Sequence, residues 1–379
     1  MDRSLPAALP QSPISEVSIP DVSIIVPARN EEASLGDCLE SLTAQTGVAF
    51  EIIVVDDGST DRTHEIAQSF AGVRVISPGP LPNSPTGKSR TGKNNALVAG
   101  AKEARAEWLL FTDADTVHLP GSLARALDEA KKERADLLSY SPEQGVVTFA
   151  ERAVMPVIFA ELAAHYPPQR VREPNSGVVA ANGQYILVRR AAYDAVGGHT
   201  AVAAEILEDV ALARLFRNSG YRVHFRYGGD AVRTRMYRNW AQLREGWTKN
   251  LALLFPQTER LALRSLSVWF LAWSVLGVAV YGAASQHFVW VLAAALWLLV
   301  YRRISAAHLA TVNNLIAIAF GLPMFAYLLL RSKQAHAKGR VSWKGRAYNV
   351  GTRSGSTPAN VQAAKPISRI ENQGLRAKS

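Results

Sequence analysis

The chain has very little cysteine, and its first residues lack the features of a secretion signal. Cys38 is the only cysteine among 379 residues. A single cysteine excludes an internal disulfide framework and the paired-cysteine spacing of zinc fingers, and it suits a reducing compartment. Residues 1–20 contain four prolines but no apolar stretch of signal-peptide length. We therefore expect residues 1–20 to be a short disordered leader.

Acidic residues are outnumbered by basic ones, which gives a formal charge of +10 and a pI near 9.8. Such a balance is typical of proteins that bind nucleic acid, anionic lipid or phosphorylated ligands. Here the basic residues recur beside apolar segments, which favours a membrane surface over DNA, so we expect no nucleic-acid partner. These residues are Arg260, Arg264, Arg302, Arg303, Arg331, Lys333, Lys338, Arg340, Lys344 and Arg346.

Much of the apolar content is concentrated in residues 266–330. Three runs occur there: Val268–Ala284, Phe288–Tyr301 and Leu315–Leu330. Each is close to the roughly 20 residues that a membrane-spanning helix needs. The runs fit either buried helices of a soluble domain or membrane spans, and their flanking arginines favour two or three spans. Residues 331–379 follow as a basic tail that is predicted to be partly disordered.

The number of spans decides where the basic tail lies. An odd number would put the tail on the opposite side of the membrane from the residues before 266, which the positive-inside tendency disfavours. Either one run is re-entrant or interfacial, or the tail breaks the rule. We favour the first, with both ends of the chain cytoplasmic. The earlier segment Val146–Ala164, with Pro156 at its centre, fits either a kinked pair of core helices or a helix in the membrane interface.

Short apolar runs alternate with helical stretches between Ser23 and about Ser141. Repeated strand–helix units predict an α/β domain, over residues 21–255, with a mostly parallel, Rossmann-like sheet that binds ligands at the carboxyl ends of its strands. Pro27 is expected to end the first strand, and Asn30 to cap the next helix. The predicted strands are Ser23–Val26, Glu51–Val55, Val73–Ile76, Trp108–Phe111, Asp136–Tyr140 and Ile186–Val188, and Pro120 is expected to open a helix.

Acidic side chains follow two of these strands. Asp113 and Asp115 come directly after Trp108–Phe111, and two carboxylates at this spacing can face one hard divalent cation. Mg²⁺ is held by one or two carboxylates together with substrate phosphates and waters, which points to a nucleoside diphosphate. Asp56 and Asp57 follow another strand, and they either cap a turn or accept hydrogen bonds from a base or ribose.

Further charged residues lie farther along the chain. Lys93 is at a helix N-terminus, where it is either an exposed lysine or a contact to a diphosphate. The segment Pro85–Ser89 fails the phosphate-loop pattern, because a proline stands where the first glycine is needed. Glu208 and Asp209 open a helix, so they are either acids favoured by the helix dipole or a general base. Cations and aromatic residues alternate in Arg235–Trp240, which could neutralise a leaving diphosphate.

Taken in order, these motifs resemble the family 2 inverting glycosyltransferases. The resemblance covers roughly residues 20–255 and implies a GT-A fold, a nucleotide-sugar donor, with a UDP-sugar expected, and Mg²⁺ or Mn²⁺. It implies donor contacts at Pro27, Glu31, Asp56, Asp57, Lys93, Asp113, Arg238 and Trp240, metal ligands at Asp115 and Asp113, and catalysis by Asp209 with Glu208. The segments Ala181–Tyr185, Arg235–Tyr237 and Gly246–Asn250 resemble the membrane-bound branch that glycosylates carotenoids and other polyprenoid lipids, which implies acceptor contacts at Asn182, Gly183 and Gln184.

The resemblance has one departure, at the Gln-x-x-Arg-Trp motif of processive polysaccharide synthases. Here Arg238-Asn239-Trp240 carries an inserted residue, which argues against chain polymerisation. We therefore expect a glycosyltransferase at the cytoplasmic face of the cell (inner) membrane, acting with inversion on a hydroxyl or carboxyl of a lipid-like acceptor. The alternatives are a polysaccharide synthase of the same family and a non-catalytic membrane scaffold with a nucleotide-binding domain.

Overall fold

The computed structural model describes residues 19–81, 91–281, 287–339, 341–343 and 346–348. Most of the predicted leader, the segment Pro85–Ser89 and the predicted disorder after Gly351 lie outside the described residues. The strands are β1 (Val22–Ala28), β2 (Phe50–Asp56), β3 (Val73–Ile76), β4 (Trp108–Phe111), β5 (Thr116–His118), β6 (Leu137–Ser141), β7 (Glu143–Gln144), β8 (Ile186–Arg189), β9 (Val223–Tyr227), β10 (Val232–Thr234), β11 (Val341–Trp343) and β12 (Arg346–Tyr348).

The helices alternate with these strands and then take over the chain. They are α1 (Leu35–Thr43), α2 (Thr63–Gln68), α3 (Gly92–Glu103), α4 (Ser122–Lys132), α5 (Phe149–His165), α6 (Pro168–Arg172), α7 (Arg190–Ala195), α8 (Gly198–Ala201), α9 (Glu208–Asn218), α10 (Trp240–Leu254), α11 (Thr258–Tyr281), α12 (His287–Ser305), α13 (Thr311–Ile316) and α14 (Leu322–Ala337). A π-helical turn, Ala317–Gly321, joins α13 to α14, and we call the continuous segment Thr311–Ala337 the third apolar helix.

The main sheet has seven strands in the order β3-β2-β1-β4-β8-β6-β9. Its strand pairs are parallel except where β8 runs antiparallel to β4 and β6. A mostly parallel α/β sheet is therefore confirmed. A second sheet, β5-β10-β7, lies at the end of β4, where the acids Asp113 and Asp115 leave the main sheet. The order of the strands along the sheet changes direction between β1 and β4, and such sheets bind ligands at this point.

Side-chain burial explains why these strands form the centre. The β-branched runs of β1 and β2 are buried on both faces, as parallel strands are when helices cover both sides of the sheet. Helix α3 packs closely on β1 because Gly100 has no side chain: a Cβ there would lie 2.4 Å from Ile25 Cγ2. This close packing fixes the helix whose first turn carries Lys93.

Three predictions about local structure are wrong. Pro27 does not end β1, which continues to Ala28; an amide donor is not needed at every position of a strand. Asn30 does not cap α1, which begins after Ser34; its backbone is left-handed (φ 52°), and its side chain accepts a hydrogen bond from the Thr60 amide at 2.9 Å. Pro120 lies before the left-handed Gly121, after which α4 begins.

Among the described residues, three helices in the apolar C-terminal part of the chain are long and apolar enough to cross a membrane. They are Thr258–Tyr281, Phe288–Ser305 and Thr311–Ala337, and 17%, 17% and 50% of their most apolar windows are buried within the protein. The earlier helix α5 is one continuous element through Pro156, not a pair of helices. It packs on the third apolar helix, and its Ala153 carbonyl is so close to Gly321 that a Cβ there would lie 2.0 Å away.

The single cysteine is in the core. Cys38 is fully buried on α1, and its Sγ lies 3.7 Å from the Asp113 carbonyl oxygen. Burial raises the pKa of the Cys38 thiol far above its usual range. The thiol is therefore unreactive in the folded protein.

Candidate active site

A cavity of about 410 Å³ lies at the carboxyl ends of the central strands. Its size is in the range of small-molecule sites. One end is polar and is lined by Glu31, Asp57, Lys93, Asp113, Asp115, Glu208 and Asp209; the other is largely apolar and is lined by residues of α5, α10 and the segment that joins α12 to α13. The structure thus brings together most of the charged residues that the sequence singled out.

Lys93 connects two acids at the polar end. Its Nζ lies 2.8 Å from Asp113 Oδ1 and 2.9 Å from Glu208 Oε1. Burial disfavours the charged ammonium, but the two carboxylates outweigh burial and raise the pKa of Lys93 well above its ordinary value. Burial also opposes ionisation of Glu208, and Lys93, followed by Lys249, nevertheless lowers its pKa. Lys93 therefore stays positively charged between the β4 acids and the start of α9.

Helix α3 holds Lys93 in this position. Thr91 caps the helix, and its side chain accepts a hydrogen bond from the Asn94 amide at 3.1 Å. The buried Asn94 side chain donates to the Ala203 carbonyl at 2.9 Å, which fixes the loop that leads to Glu208. Lys93 and Glu208 are therefore linked by their own ion pair and also by the hydrogen bond between their neighbouring segments.

Asp209 differs from Glu208 although the two are neighbours. Its Oδ2 accepts a hydrogen bond from the Gly183 amide at 3.0 Å, and its Oδ1 accepts one from the Val210 amide at 2.8 Å. Burial, and then the charge on Glu208, raise the pKa of Asp209 to about 6. A carboxylate with this pKa can accept a proton near neutral pH, as a general base must.

The lack of a side chain at Gly183 allows its backbone to lie close to both Asp209 and Lys93. A Cβ at this position would lie 3.1 Å from Lys93 Nζ and 3.7 Å from Asp209 Oδ2. Its neighbours Asn182 and Gln184 also line the cavity. Any larger residue would therefore occupy the space between the ammonium and the carboxylate.

The turn that carries Asp115 is held by a chain of buried polar groups. Gln184 Nε2 donates to Thr234 Oγ1 at 3.0 Å, and Thr234 Oγ1 donates to the Asp115 carbonyl at 3.1 Å. Sequence reasoning missed Thr234, because a lone threonine carries no recognisable motif. Its contact makes β10 the support of the acidic turn.

The carboxylates of the cavity fit a hard divalent cation whose remaining ligands come from a bound substrate and water. Asp113 and Asp115 both line the cavity, and Asp113 also pairs with Lys93. Among the described residues no group of three or more His, Cys, Asp or Glu could hold a metal without help. Two carboxylates beside an open cavity are nevertheless the protein ligands that Mg²⁺ and Mn²⁺ use when substrate phosphates and waters supply the rest.

The predicted donor contacts divide into two groups. Pro27, Glu31 and Asp57 line the cavity, as does Arg29, which the sequence did not single out. Arg29 Nη1 donates to the Asp57 carbonyl at 2.6 Å. Asp56 is not part of the cavity lining: its carboxylate accepts from the Ser59 amide at 3.0 Å, as in a capped turn.

Arg238 and Trp240 are also outside the cavity lining. Arg238 Nη2 donates to the Ala33 carbonyl at 2.6 Å, and Trp240 stacks on Tyr327 of α14 with ring centroids 6.4 Å apart. The neighbouring Met236 and Tyr237 line the cavity instead. Donor binding by Arg238 and Trp240 stays a prediction.

Helix α10 contributes Lys249, a charged residue that we did not assign from the sequence. Lys249 lines the cavity together with Trp247 and Leu254 of the same helix. Burial lowers its pKa, against the opposing effect of Glu208. It is the second lysine of the cavity lining, and the charges of Glu208, Asp209 and Asp113 act on it.

Comparisons with known proteins show what this chain is similar to. Residues 23–197 match the model of "Glycosyl transferase family 2". The chain is 29% identical to a 4,4'-diaponeurosporenoate glycosyltransferase of Staphylococcus aureus, and the match covers 87% of this chain and 88% of that protein. The mannosyltransferase PcManGT from Pyrobaculum calidifontis, solved with GDP-Man and Mn²⁺, is 15% identical with a TM-score of 0.46, covering 84% of this chain and 87% of that one. S. aureus TarS is 18% identical with a TM-score of 0.40, covering 86% of this chain and 56% of that one.

Proposed function

We propose, on the premise that residues 23–197 are a glycosyl transferase family 2 domain, that this protein transfers a sugar from a nucleotide-sugar to a lipid-like acceptor at a membrane. The observation that carries the proposal is one cavity in which Asp209, a carboxylate with its pKa raised to about 6, lies beside Lys93 and the β4 acids. The other end of that cavity is apolar. A charged donor and an apolar acceptor can therefore approach the same point from opposite ends.

In the proposed reaction Asp209 is the general base. It takes the proton of an acceptor hydroxyl as that oxygen bonds to the anomeric carbon, and the bond between this carbon and the diphosphate oxygen breaks with its electron pair leaving on the nucleoside diphosphate. A single displacement inverts the anomeric configuration. Lys93, held by Glu208, offsets the negative charge on the departing diphosphate. Mg²⁺ or Mn²⁺ bound at Asp115 and Asp113 would supply further positive charge to the phosphates.

The proposed donor site is the polar end of the cavity. Pro27, Glu31 and Asp57 would contact the nucleoside, and Asp113 and Lys93 the diphosphate. We propose a UDP-sugar as the donor. Purified protein incubated with a panel of UDP- and GDP-sugars, each with and without excess chelator, measures which donor is hydrolysed and whether a metal is needed.

The proposed acceptor is a carotenoid or another polyprenoid, with the sugar attached to a hydroxyl or a carboxyl group. The name of the S. aureus relative and the length over which it matches this chain support this class of acceptor, as does the apolar end of the cavity. Asn182, Gly183 and Gln184 would lie next to the reacting group. Lipid extracts of cells with and without the gene, compared by mass spectrometry, test the proposal: a hexose-bearing lipid that depends on Asp209 supports it, and unchanged lipids with an active donor hydrolase would reject it.

We further propose that the chain crosses the membrane twice. Helices α11 and α12, which we call the membrane hairpin, pack antiparallel: Trp297 Nε1 donates to the Ala272 carbonyl at 3.2 Å. At its base, Arg264 and Arg303 both contact the buried Glu161 of α5, at 2.6 and 3.2 Å. The base is therefore next to the catalytic domain. At about 1.5 Å per residue, the 24 residues of α11 are long enough to reach across a bilayer.

The third apolar helix has both of its ends on the side of the catalytic domain. Near its start Thr311 lies 3.2 Å from the Tyr301 hydroxyl, close to the base of the hairpin. Near its end Ser332 Oγ donates to the Thr248 carbonyl at 2.7 Å, and His336 Nε2 contacts the Lys249 carbonyl at 2.8 Å. A spanning helix would separate its ends by the thickness of the bilayer, so these contacts support an interfacial helix.

This topology makes both ends of the chain cytoplasmic, where nucleotide-sugars are made available to the site. It divides the protein into a leader (1–20), a catalytic domain (21–255), a membrane region (266–330) and a basic tail (331–379). Reporters fused after Ser379 test it. A fusion active only in the cytoplasm supports two spans, and one active only outside would require three.

A further inference from the structure

The apolar end of the cavity has a continuous wall on α5. Phe159, Leu162, Ala163 and Tyr166 all line the cavity. Their spacing of three, four and seven residues puts them on one face of the helix. Ala153 and Val157, nearer the start of α5, lie against Gly321 of the third apolar helix. Helix α5 thus contributes both to the cavity lining and to the packing of the third apolar helix.

A second part of the cavity lining comes from the segment between α12 and α13. Ala306, Ala307 and His308 line the cavity. This segment begins three residues after Arg303, which contacts Glu161 at the base of the membrane hairpin. It therefore lies where the hairpin leaves the membrane, not deep in the catalytic domain.

Exposure shows where this wall ends. Ala307 is buried, whereas Ala306 is exposed although it also lines the cavity. Ala306 is therefore at the rim of the cavity, facing both its interior and the outside. The exposed His308 stacks on Tyr227 at the end of β9, with ring centroids 4.3 Å apart and planes inclined by 14°. This stack joins the rim to the catalytic sheet.

We propose that the acceptor enters sideways from the membrane past Ala306, with its hydrocarbon body between α5 and Ala306–His308 and its reactive head near Asp209. The inference rests on the proposed function and adds the path and the residues that select an acceptor with a long apolar chain. The two alanines leave room beside the helix face, and the Tyr227–His308 stack bounds one side of the opening.

The chemistry of the lining favours this occupant. The transfer of apolar surface out of water is favourable by roughly 25 cal/mol of free energy for each Å² buried, so an apolar lining favours binding of an acyl or isoprenoid chain. An acceptor that arrived from water would need neither this lining nor an opening at the hairpin base. A lipid taken directly from the bilayer keeps its chain in an apolar environment throughout.

Filling the rim tests the path. We would compare full-length wild type, Ala306→Trp and Ala310→Trp in lipid nanodiscs, with a long-chain isoprenoid alcohol and a short water-soluble alcohol as acceptors. Ala310 is the matched control, because it is exposed on the same segment but is not part of the cavity lining. We expect Ala306→Trp to lower kcat/KM for the long acceptor at least tenfold, with donor hydrolysis and transfer to the short acceptor unchanged, and Ala310→Trp to match wild type.

A second variant distinguishes a blocked path from a folding defect. Ala306→Cys can be purified, assayed and then labelled with a bulky maleimide, and the unlabelled variant should behave as wild type. Loss of long-chain transfer only after labelling supports the path, and full long-chain transfer by the labelled protein or by Ala306→Trp would overturn it. If wild type neither hydrolyses donor nor transfers to either alcohol, the proposed function itself fails, which is a different result.

Discussion

Replacing Asp209 by asparagine tests the chemistry most directly, because it retains the shape of the side chain and removes its basicity. In the folded protein both carboxylate oxygens accept a backbone amide, from Gly183 at 3.0 Å and from Val210 at 2.8 Å. An asparagine has one acceptor oxygen, so one of these bonds is lost, at a cost of about 1 kcal/mol in folding free energy. That loss is small enough for the fold to persist.

The kinetic effect should be much larger than the structural one. General-base catalysis contributes about 10²–10⁴-fold, which is a barrier of roughly 3–5.5 kcal/mol. We expect kcat for an alcohol acceptor to fall by this factor, while the Kd of the nucleotide-sugar, measured by calorimetry, changes little. The exposed Asp128→Asn on α4 is the matched control and should be fully active.

The pH profile provides a second readout of the same residue. A base must be deprotonated, and burial together with Glu208 raises the pKa of Asp209 to about 6. For wild type, kcat/KM with an alcohol acceptor should therefore fall tenfold per unit below about pH 6, and the variant should lack this limb. A variant that loses donor affinity but keeps its turnover rate would show that Asp209 binds the donor and is not the base.

Three other substitutions test separate parts of the structure. Asp115→Ala should lower transfer more than 100-fold and abolish Mn²⁺ binding measured by electron paramagnetic resonance, with an unchanged melting temperature; undiminished activity in excess chelator would remove the metal from the mechanism. We expect Lys249, which lines the cavity, to pair with the carboxylate of a carboxylate acceptor. Lys249→Met should therefore raise KM for such an acceptor about tenfold or more relative to the matched alcohol, because a charge-assisted hydrogen bond contributes about 1.5–3 kcal/mol, and equal effects on the two acceptors would reject this pairing. Gly321→Ala should lower the melting temperature by several degrees, since its Cβ would lie 2.0 Å from the Ala153 carbonyl and overpacking costs about 1–3 kcal/mol. Gly277→Ala, where nothing lies within 4 Å, should not, and equal melting temperatures would show that the helices separate without cost.

The centre of the catalytic domain could be predicted because local sequence determines it. Buried parallel strands are continuous apolar runs, so β2 and β4 were recognisable, and the acids that follow them had to meet at one edge of the sheet. Lys93 could be placed beside them because its helix begins at that edge. The sequence did not reveal that Lys93 bridges Asp113 and Glu208, since Glu208 is 115 residues away along the chain, as the two residue numbers show.

Other features depend on packing that no local pattern records. Asn30 resembles a helix cap, but its side chain instead binds the Thr60 amide across two loops. Trp240 follows a cation-rich motif, but it packs on Tyr327 of a helix more than eighty residues later. The apolar runs were visible, but the contacts of Thr311 and Ser332, on which the proposed interfacial position of the third run rests, were not.

The packing of the helices around the cavity limits how this protein can be divided or recombined. Leu243, Trp247 and Phe255 of the catalytic region share one apolar core with Ile318 and Phe325 of the third apolar helix. A chain cut after residue 255 would leave that core open to water and should be insoluble, because independent domains need a core of their own. The α/β domain and the apolar helices are therefore not exchangeable modules: a heterologous transmembrane segment attached at residue 255 would not restore the fold, so recombination can preserve the fold only if it keeps both parts together.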